Sequence, residues 1–319
     1  MYDKIKVVVT ESVNPFYNIS LEARLLDVCD EKTVFMYLWK NDNTVVIGKN
    51  QNAFKECDIK KLESESGHLV RRMTGGGAVY HDVKNVNFSF YAHKDNYDVV
   101  KQAQVILLAV KKLGINAERS GRNDITVDGR KFSGNSFLTK GEIKLHNGTI
   151  LVDTDTEKMT KFLTVSLDKM KSKGVDSVRS RVVNLKELCP GLTTERLQEK
   201  LLESFDEVYG LKAEIVCEKD LGLAEVDTIR KERFENDEWR FGTNPAFANV
   251  LEKRFDWGSA EIRYSSAKGV ITEIKIFSDA LDAEEIERVE GALNKKEIKA
   301  LNETAKNEGT IYKDIVSLF

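Results

Sequence analysis

The sequence predicts an α+β fold, with mixed and antiparallel sheets packed against helices and a small α+β domain at the C-terminus. Strand-like and helical patterns interleave along the chain with no repeat at a fixed period. The strand candidates come in pairs joined by turn residues. The last stretch, about seventy residues, reads as strand, strand, helix, helix, enough for an appended domain. With 319 residues and 41% hydrophobic content, the chain can bury a substantial core and accommodate two domains. The expected division is 1–245 and 246–319, with the boundary in the region from Trp239 to Phe247.

The chain opens with a short strand-like run ending Ile5-Lys6-Val7-Val8-Val9, which lacks the long apolar core of a signal peptide. Leu21, Leu25 and Val28 fall at helical spacing. Strands are then expected at 34–39 and 44–48, joined as a hairpin by Asn41-Asp42-Asn43. Residues 86–91 alternate apolar and polar, and antiparallel pairing with 77–81 is expected. Val99, Ala103, Ile106, Leu107, Val110 and Leu113 share one helical face, with Gly114 placed to cap it. Ile125-Thr126-Val127 and Lys131-Phe132-Ser133 flank Asp128-Gly129-Arg130 and read as a hairpin with an Asp-Gly turn. A strand follows at 149–152, then a short helix from Asp155 toward Leu163. Thr193 or Thr194 caps a helix carrying Leu197, Leu201, Phe205 and Val208, ended by Gly210. Strands at 260–264 and 270–277 surround Lys268-Gly269, and helical patterns follow at 283–293 and 296–305.

Bulk properties exclude several classes. A formal net charge of −3 argues against a general nucleic-acid binder, because a phosphate-tracking surface leaves a basic imbalance. Cys29, Cys57, Cys189 and Cys217 are far apart and form no C-x-x-C pair, so neither a zinc site nor a disulfide framework is expected. No segment approaches the ~18 uninterrupted apolar residues of a membrane helix. The expectation is a cytoplasmic protein with no nucleic-acid or membrane partner.

Chemistry concentrates in Arg71-Arg72-Met73-Thr74-Gly75-Gly76-Gly77-Ala78-Val79-Tyr80-His81-Asp82. Glycines let backbone N–H groups approach a ligand, and two neighbouring guanidiniums supply fixed positive charge, so the stretch reads as an anion cradle or as a tight turn with incidental arginines. No Gly-Lys-Ser/Thr follows, and the downstream segment is strand, so it is neither a Walker A loop nor a Rossmann fingerprint. Further along stand Ser120-Gly121-Arg122-Asn123-Asp124, Lys131-Phe132-Ser133-Gly134, His146-Asn147-Gly148-Thr149, the basic run Ser177-Val178-Arg179-Ser180-Arg181, and Trp239-Arg240-Phe241-Gly242 with Pro245-Ala246-Phe247.

Together these six ordered motifs resemble the lipoate–protein ligase family, in its longer bacterial form with a C-terminal accessory domain, over nearly the whole chain. The resemblance implies a catalytic domain like that of biotin and lipoate ligases. It implies a two-step reaction: ATP activates lipoate to lipoyl-AMP with release of pyrophosphate, then a lysine of an acceptor lipoyl domain takes the lipoyl group and AMP leaves. Lys131 is the expected catalytic residue, beside both the lipoyl carboxyl and the α-phosphate. Arg72 is expected to pair bidentately with a phosphate, Arg71 to be structural, and Gly77, Ala78, Val79 and Tyr80 to line the nucleotide. Gly75 and Gly76 either contact lipoate or shape the turn. Asn123 and Asp124 suit Mg²⁺, with Asp124 the candidate metal ligand, or else they orient Lys131 or the incoming lysine. His81 and Asn147 are placed with lipoate, and Leu21, Val79 and Leu151 are candidates for an apolar wall around its tail. His81 and His146 are read as structural or ligand-orienting in preference to general bases. Arg179 and Arg181 either close over the adenylate or form a solvated face.

One departure is the compact turn between Asp124 and Lys131, where family members can carry a longer connection. Expected partners are the lipoyl domains of 2-oxoacid dehydrogenase acyltransferase subunits, the glycine cleavage H protein and lipoate itself. The competing readings are an ATP-independent octanoyl or lipoyl transferase using a cysteine thioester, a biotin ligase, and a non-enzymatic lipoate-binding protein.

Overall fold

The computed structural model describes residues 2–164, 182–242 and 246–319. Its strands in chain order are β1 (Lys4–Val9), β2 (Thr33–Trp39), β3 (Thr44–Ile47), β4 (His68–Arg71), β5 (Val79–His81), β6 (Asn85–His93), β7 (Glu118–Ser120), β8 (Asp124–Val127), β9 (Arg130–Lys140), β10 (Ile143–Leu151), β11 (Glu214–Ile215), β12 (Asn249–Phe255), β13 (Gly258–Ala267) and β14 (Val270–Ser278). An eight-stranded mixed sheet runs β11-β1-β2-β6-β10-β9-β8-β7, a second sheet runs β4-β3-β5, and a third β12-β13-β14.

The large sheet separates two packing environments because successive side chains point to opposite faces. Met36, Leu38, Phe88, Phe90 and Ile150 face the helices Val99–Lys111 and Thr194–Tyr209 and form the main core with Val105, Ile106, Leu197, Leu201 and Phe205. On the other face Tyr37, Trp39 and Tyr91 pack against Leu21 and Leu25 of the helix Pro15–Val28. The caps expected from sequence form. Thr193 accepts from Arg196 N–H, Asp155 caps Thr156–Phe162, and Gly210 closes its helix at φ 68°. Asp98, not named as a cap from sequence, accepts from Val100 and Lys101 N–H. The Asp-Gly hairpin forms too, with Asp128 at φ 49° and Gly129 at φ 73°, the pair of positive values that a tight two-residue turn requires.

Two expected strand pairings are corrected. β2 and β3 do not form a hairpin: β2 pairs with β1 and β6, while β3 pairs with β4 and β5. The two strands belong to different sheets, and every residue of both is buried, so both faces of each strand are covered by packed layers. The asparagines that read as turn residues anchor a crossover instead. Asn18 Nδ2 donates to Asn41 Oδ1 at 3.1 Å and Asn43 Nδ2 donates to Glu65 O at 2.8 Å. Likewise β6 pairs with β2 and β10, and β5 pairs with β3, so residues 77–81 and 86–91 do not meet as strands.

The C-terminal sheet packs on the helix Ala283–Leu293 through Ile262, Ile274, Ile276, Ile286, Val289 and Leu293. β12 and the helix Thr310–Val316 carried no clear sequence signal. The helix expected at 296–305 is broken into short turns at Ile298–Ala300, Leu301–Thr304 and Ala305–Asn307. This unit docks directly on the N-terminal part: Asn50 Nδ2 donates to Ala283 O at 2.8 Å, Ser278 N–H donates to Asn50 O at 2.9 Å, and Lys49 pairs with Glu287 at 2.8 Å. Among the described residues no helix is long and apolar enough to cross a membrane.

Candidate active site

The face of the large sheet opposite the main core is unusually polar. Register places Asp124 opposite Gly134, Ser136 opposite Asn147, Asn147 opposite Ser89, and Thr149 opposite Asn87, so these residues share one face of β8, β9, β10 and β6. Ser89, Asn87, Ser136 and Asn147 are buried. Buried polar groups are costly unless hydrogen-bonded, and these bond to one another, to Glu22 on the helix Pro15–Val28, and to Thr74 on the glycine loop.

That loop, residues 72–78, is shaped from within. Arg72 donates to Thr74 Oγ1 at 3.0 Å, to Gly75 O at 2.6 Å, to Gly77 O at 2.9 Å and to Val46 O at 3.3 Å. Burial pulls its guanidinium down to about 10, and the buried Glu22 carboxyl counteracts this. Glu22 is itself pushed up by burial and lowered by Ser89, Asn147 and Arg72. In a trans peptide, C=O and N–H point to opposite sides. With the Gly75 and Gly77 carbonyls turned toward Arg72, the N–H groups of Gly76 and Ala78 must therefore face away from it. Gly76 N–H donates to Ala280 O of the C-terminal unit at 2.8 Å. Ala78 N–H has no acceptor among the described residues. The loop is thus a cradle with its carbonyls withdrawn, and Gly76 adopts φ 92° to allow it. The phosphate contact expected of Arg72 is not what this geometry shows, because its fork is buried and engaged by the loop.

Arg71 is structural, as read. It donates to the carbonyls of Gly48, Lys49, Gln51, Trp239 and Arg240, while Trp239 Nε1 donates back to Arg71 O at 2.9 Å. Two motifs 168 residues apart are thereby one unit.

Lys131 Nζ sits 2.7 Å from Asp124 Oδ1, both side chains about a third exposed. A Cβ on Gly134 would lie 2.7 Å from that ammonium, so Lys131 reaches onto the face of Gly134 and Ser136, the latter touching Thr74 of the loop. Cation and cradle therefore share one face. The Lys131 carbonyl accepts from Val183 N–H at 2.9 Å, and Lys131 bridges to Val182. Val182 is the first described residue after the basic run, and Arg179 and Arg181 themselves lie outside the described residues.

The remaining expected residues divide between the two faces. Asn147 belongs to the polar face. The Asn123 amide donates to Asn135 O at 2.7 Å, and Asn123 lines a small cavity together with Asp124, Asn135 and His146. His146 meets Gln102 and Asn135 there. His81 is buried between Asn41 and Thr149. Burial holds both imidazoles down at about 3, with Arg72 adding to the effect at His81 and Arg119 at His146. Both are neutral. Asn41 donates to His81 Nδ1, so Nε2–H donates to Thr149. Tyr80 turns its ring into the small sheet's core, its hydroxyl donating to Asn43 Oδ1 at 3.0 Å, so only its backbone faces the nucleotide position expected of it. Val79 remains half-buried beside Gly77 and Ala78, Leu21 is fully buried in the core under the helix Pro15–Val28, and Leu151 is buried at the end of β10.

Glu22, Ser136, Ser89 and Thr74 were not singled out individually from sequence. Glu22 alone left a signal: with Ile19 and Leu26 it occupies the i, i+3, i+7 positions of an apolar helical stripe, where a carboxylate is out of place.

Residues 14–206 match the family model described as the lipoyl protein ligase A/B catalytic domain, and residues 244–308 match that described as the bacterial lipoate protein ligase C-terminus. A lipoate-protein ligase A of Psychrobacter cryohalolentis is 36% identical over 309 residues, 93% of this chain and 91% of its own length. LipL1 of P. falciparum, solved in complex with lipoate, has a TM-score of 0.86 at 28% identity, covering 98% of both chains. A bipartite lipoate protein ligase of Thermoplasma acidophilum, studied with its E2 lipoyl domain, has a TM-score of 0.68 at 22% identity, covering 78% of this chain and 100% of its own. At that identity the likeness concerns the fold alone.

Proposed function

We propose that this chain, which belongs to the lipoyl protein ligase A/B family, consumes ATP to activate lipoate and transfers the lipoyl group to a lysine of an acceptor lipoyl domain. The observation that carries the reading is the placement of the Lys131 ammonium, held by Asp124, on the same face as a glycine loop whose Ala78 N–H has no acceptor among the described residues. A lipoate carboxylate oxygen attacks the α-phosphorus of ATP. A carboxyl–phosphoryl bond forms and the bond to pyrophosphate breaks. Lys131 follows the negative charge from carboxylate to phosphoryl oxygen, and the loop N–H groups supply fixed donors. In the second step an acceptor amine attacks the carbonyl carbon of the anhydride, the amide forms, a proton leaves the nitrogen and AMP departs with the bonding pair.

Asp124, which meets Lys131 through one oxygen, suits Mg²⁺ held mainly by phosphates and water, while the Asn123 amide is engaged by Asn135 O. Mg²⁺, when bound, neutralises polyphosphate charge. Asp124 otherwise fixes Lys131. Arg72 forms the cradle, Gly75 and Gly76 give it room, and Asn147 braces it. Arg179 and Arg181 are proposed to cover the adenylate. The division into a catalytic domain, 1–245, and an accessory domain, 246–319, is part of the same reading, as are the acceptors: lipoyl domains of 2-oxoacid dehydrogenase acyltransferase subunits and the glycine cleavage H protein.

Lipoate-dependent ATP–pyrophosphate exchange, followed by the mass shift of a lipoyl domain, tests this. Absence of exchange would overturn it. An ATP-independent transferase needs an activated cysteine, and burial pushes the thiols of Cys29 and Cys57 up to about 12, the opposite of activation. This leaves the more accessible Cys189 and Cys217 as its candidates, and none of the four belongs to the glycine loop or the Lys131 motif.

A further inference from the structure

We propose that Glu22, buried in the helix Pro15–Val28, is a positioning residue for the glycine loop. It acts through a string of hydrogen bonds whose donor direction is fixed at both ends. The proposal rests on the ligase reading for its consequence, though not for its geometry. Glu22 Oε1 accepts from Asn147 Nδ2 at 2.8 Å. The Asn147 amide therefore presents Oδ1 to Ser136, so Ser136 O–H donates to it, at 2.5 Å. Ser136 has then used its only proton, so Thr74 O–H donates to Ser136 Oγ at 2.8 Å. Thr74 Oγ1 in turn accepts from Arg72 Nε at 3.0 Å. An arginine can only donate, and Glu22 Oε1 accepts from both Asn147 and Ser89, so every proton along the string has one place.

A second arm fixes the far end. Trp39 Nε1 donates to Ser89 Oγ at 3.3 Å, and Ser89 donates to the same Glu22 oxygen at 2.6 Å. The string crosses from the helix through β10 and β9 to the loop, and Glu22, Asn147, Ser136 and Thr74 are all buried. Without an acceptor at position 22, the Asn147 amide is free to turn over. Turned over, it would donate to Ser136, Ser136 would donate to Thr74, and Thr74 would lose the partner for its own proton beside Arg72. The fork that withdraws the Gly75 and Gly77 carbonyls would then lose its side support. Polar networks of this kind behave as units rather than as sums of pairs.

The test is a double-mutant cycle with Glu22→Met, which deletes the acceptor, and Ser136→Ala, which cuts the string, alongside Glu22→Gln, which can restore the acceptor. Two readouts are taken: kcat/KM of lipoate-dependent pyrophosphate exchange and amide hydrogen exchange of residues 74–78. Each single variant is expected to lose about tenfold in kcat/KM, the double variant to lose about tenfold again in total rather than about a hundredfold, and E22Q to stay within about threefold of the parent. Loop amides should exchange about tenfold faster in E22M and S136A and at the parental rate in E22Q. Multiplicative losses, or E22Q as damaged as E22M, would overturn the proposal. Should E22M fail to fold, S136A and E22Q decide it through the loop amides: parental protection in S136A overturns it. A parent protein without pyrophosphate exchange would sink the ligase reading alone, since the hydrogen-exchange arm still judges the string.

Discussion

Gly134→Ala separates catalysis from folding at this site. The added Cβ would stand 2.7 Å from Lys131 Nζ and 2.8 Å from its Cε. A relaxed contact is about 3.5 Å, so the ammonium must retreat by about 0.8 Å from its position against Asp124. Gly134 is not among the glycines with positive φ, so the backbone accepts alanine, and what must move is the end of a flexible side chain. The ion pair it disturbs is about a third exposed on each side, and such a pair contributes roughly 0–1 kcal/mol. Stability by urea unfolding should therefore change by less than about 1 kcal/mol. Misplacement of a reacting group by about 1 Å costs about 10²-fold in rate, so kcat of pyrophosphate exchange should fall by nearly that much. Lys131→Ala should lose more, with equally little effect on unfolding. A G134A protein that exchanges pyrophosphate at the parental rate would refute the placement of chemistry on this ammonium, and so would a loss of rate explained by a matching loss of stability.

Arg72→Lys should destabilise the protein by about 3 kcal/mol in urea unfolding, because an ammonium cannot serve the four acceptors that the buried fork reaches; a change below about 1 kcal/mol would mean the loop is held by something else. His81 and His146 have folded values near 3, below the usual 6.5. The stability they confer is full above about pH 6.5 and is lost as pH falls, each adding about 1.4 kcal/mol per pH unit of slope between about 6.5 and 3. His146→Gln should remove one share of that slope, measured by unfolding at a series of pH values, and an unaltered slope would be inconsistent with a buried neutral imidazole. Gly75→Ala should wedge the C-terminal unit away, because its Cβ would meet Ala280 O at 2.3 Å and Leu281 O at 2.5 Å. The Gly76 amide, which donates to Ala280 O, should then exchange at least about tenfold faster; unchanged protection would show that the interface absorbs the methyl.

Caps, the Asp-Gly turn and the amphipathic helices were legible in the sequence because each depends on residues within a turn or two of one another. Thr193 and Gly210 act on backbone groups three or four positions away, and no tertiary context was needed to place them. Strand pairing was not legible in the same way. The segments 34–39 and 44–47 read as neighbours because a short turn-like stretch joins them, yet they pair in different sheets and each is covered on both faces. Burial on both faces is a property of the whole sheet stack, which alternation within one strand does not encode.

The candidate site divides along the same line. The sequence by itself determined the residue types and their order: the glycine loop, Asp124, Lys131 and Asn147, and through them the resemblance to a ligase family that the family models then matched. Only the tertiary structure decided which way each group faces. It turned Arg72 inward to hold the loop carbonyls, tied the Asn123 amide to Asn135, sent His146 to the reverse of the sheet, and brought Glu22 and Ser136 under the loop. Side-chain identity fixes what a group can donate or accept, and that much is local. Whether it meets a substrate or a carbonyl of its own chain depends on which strands lie side by side, and those contacts join residues as far apart as Glu22 and Asn147.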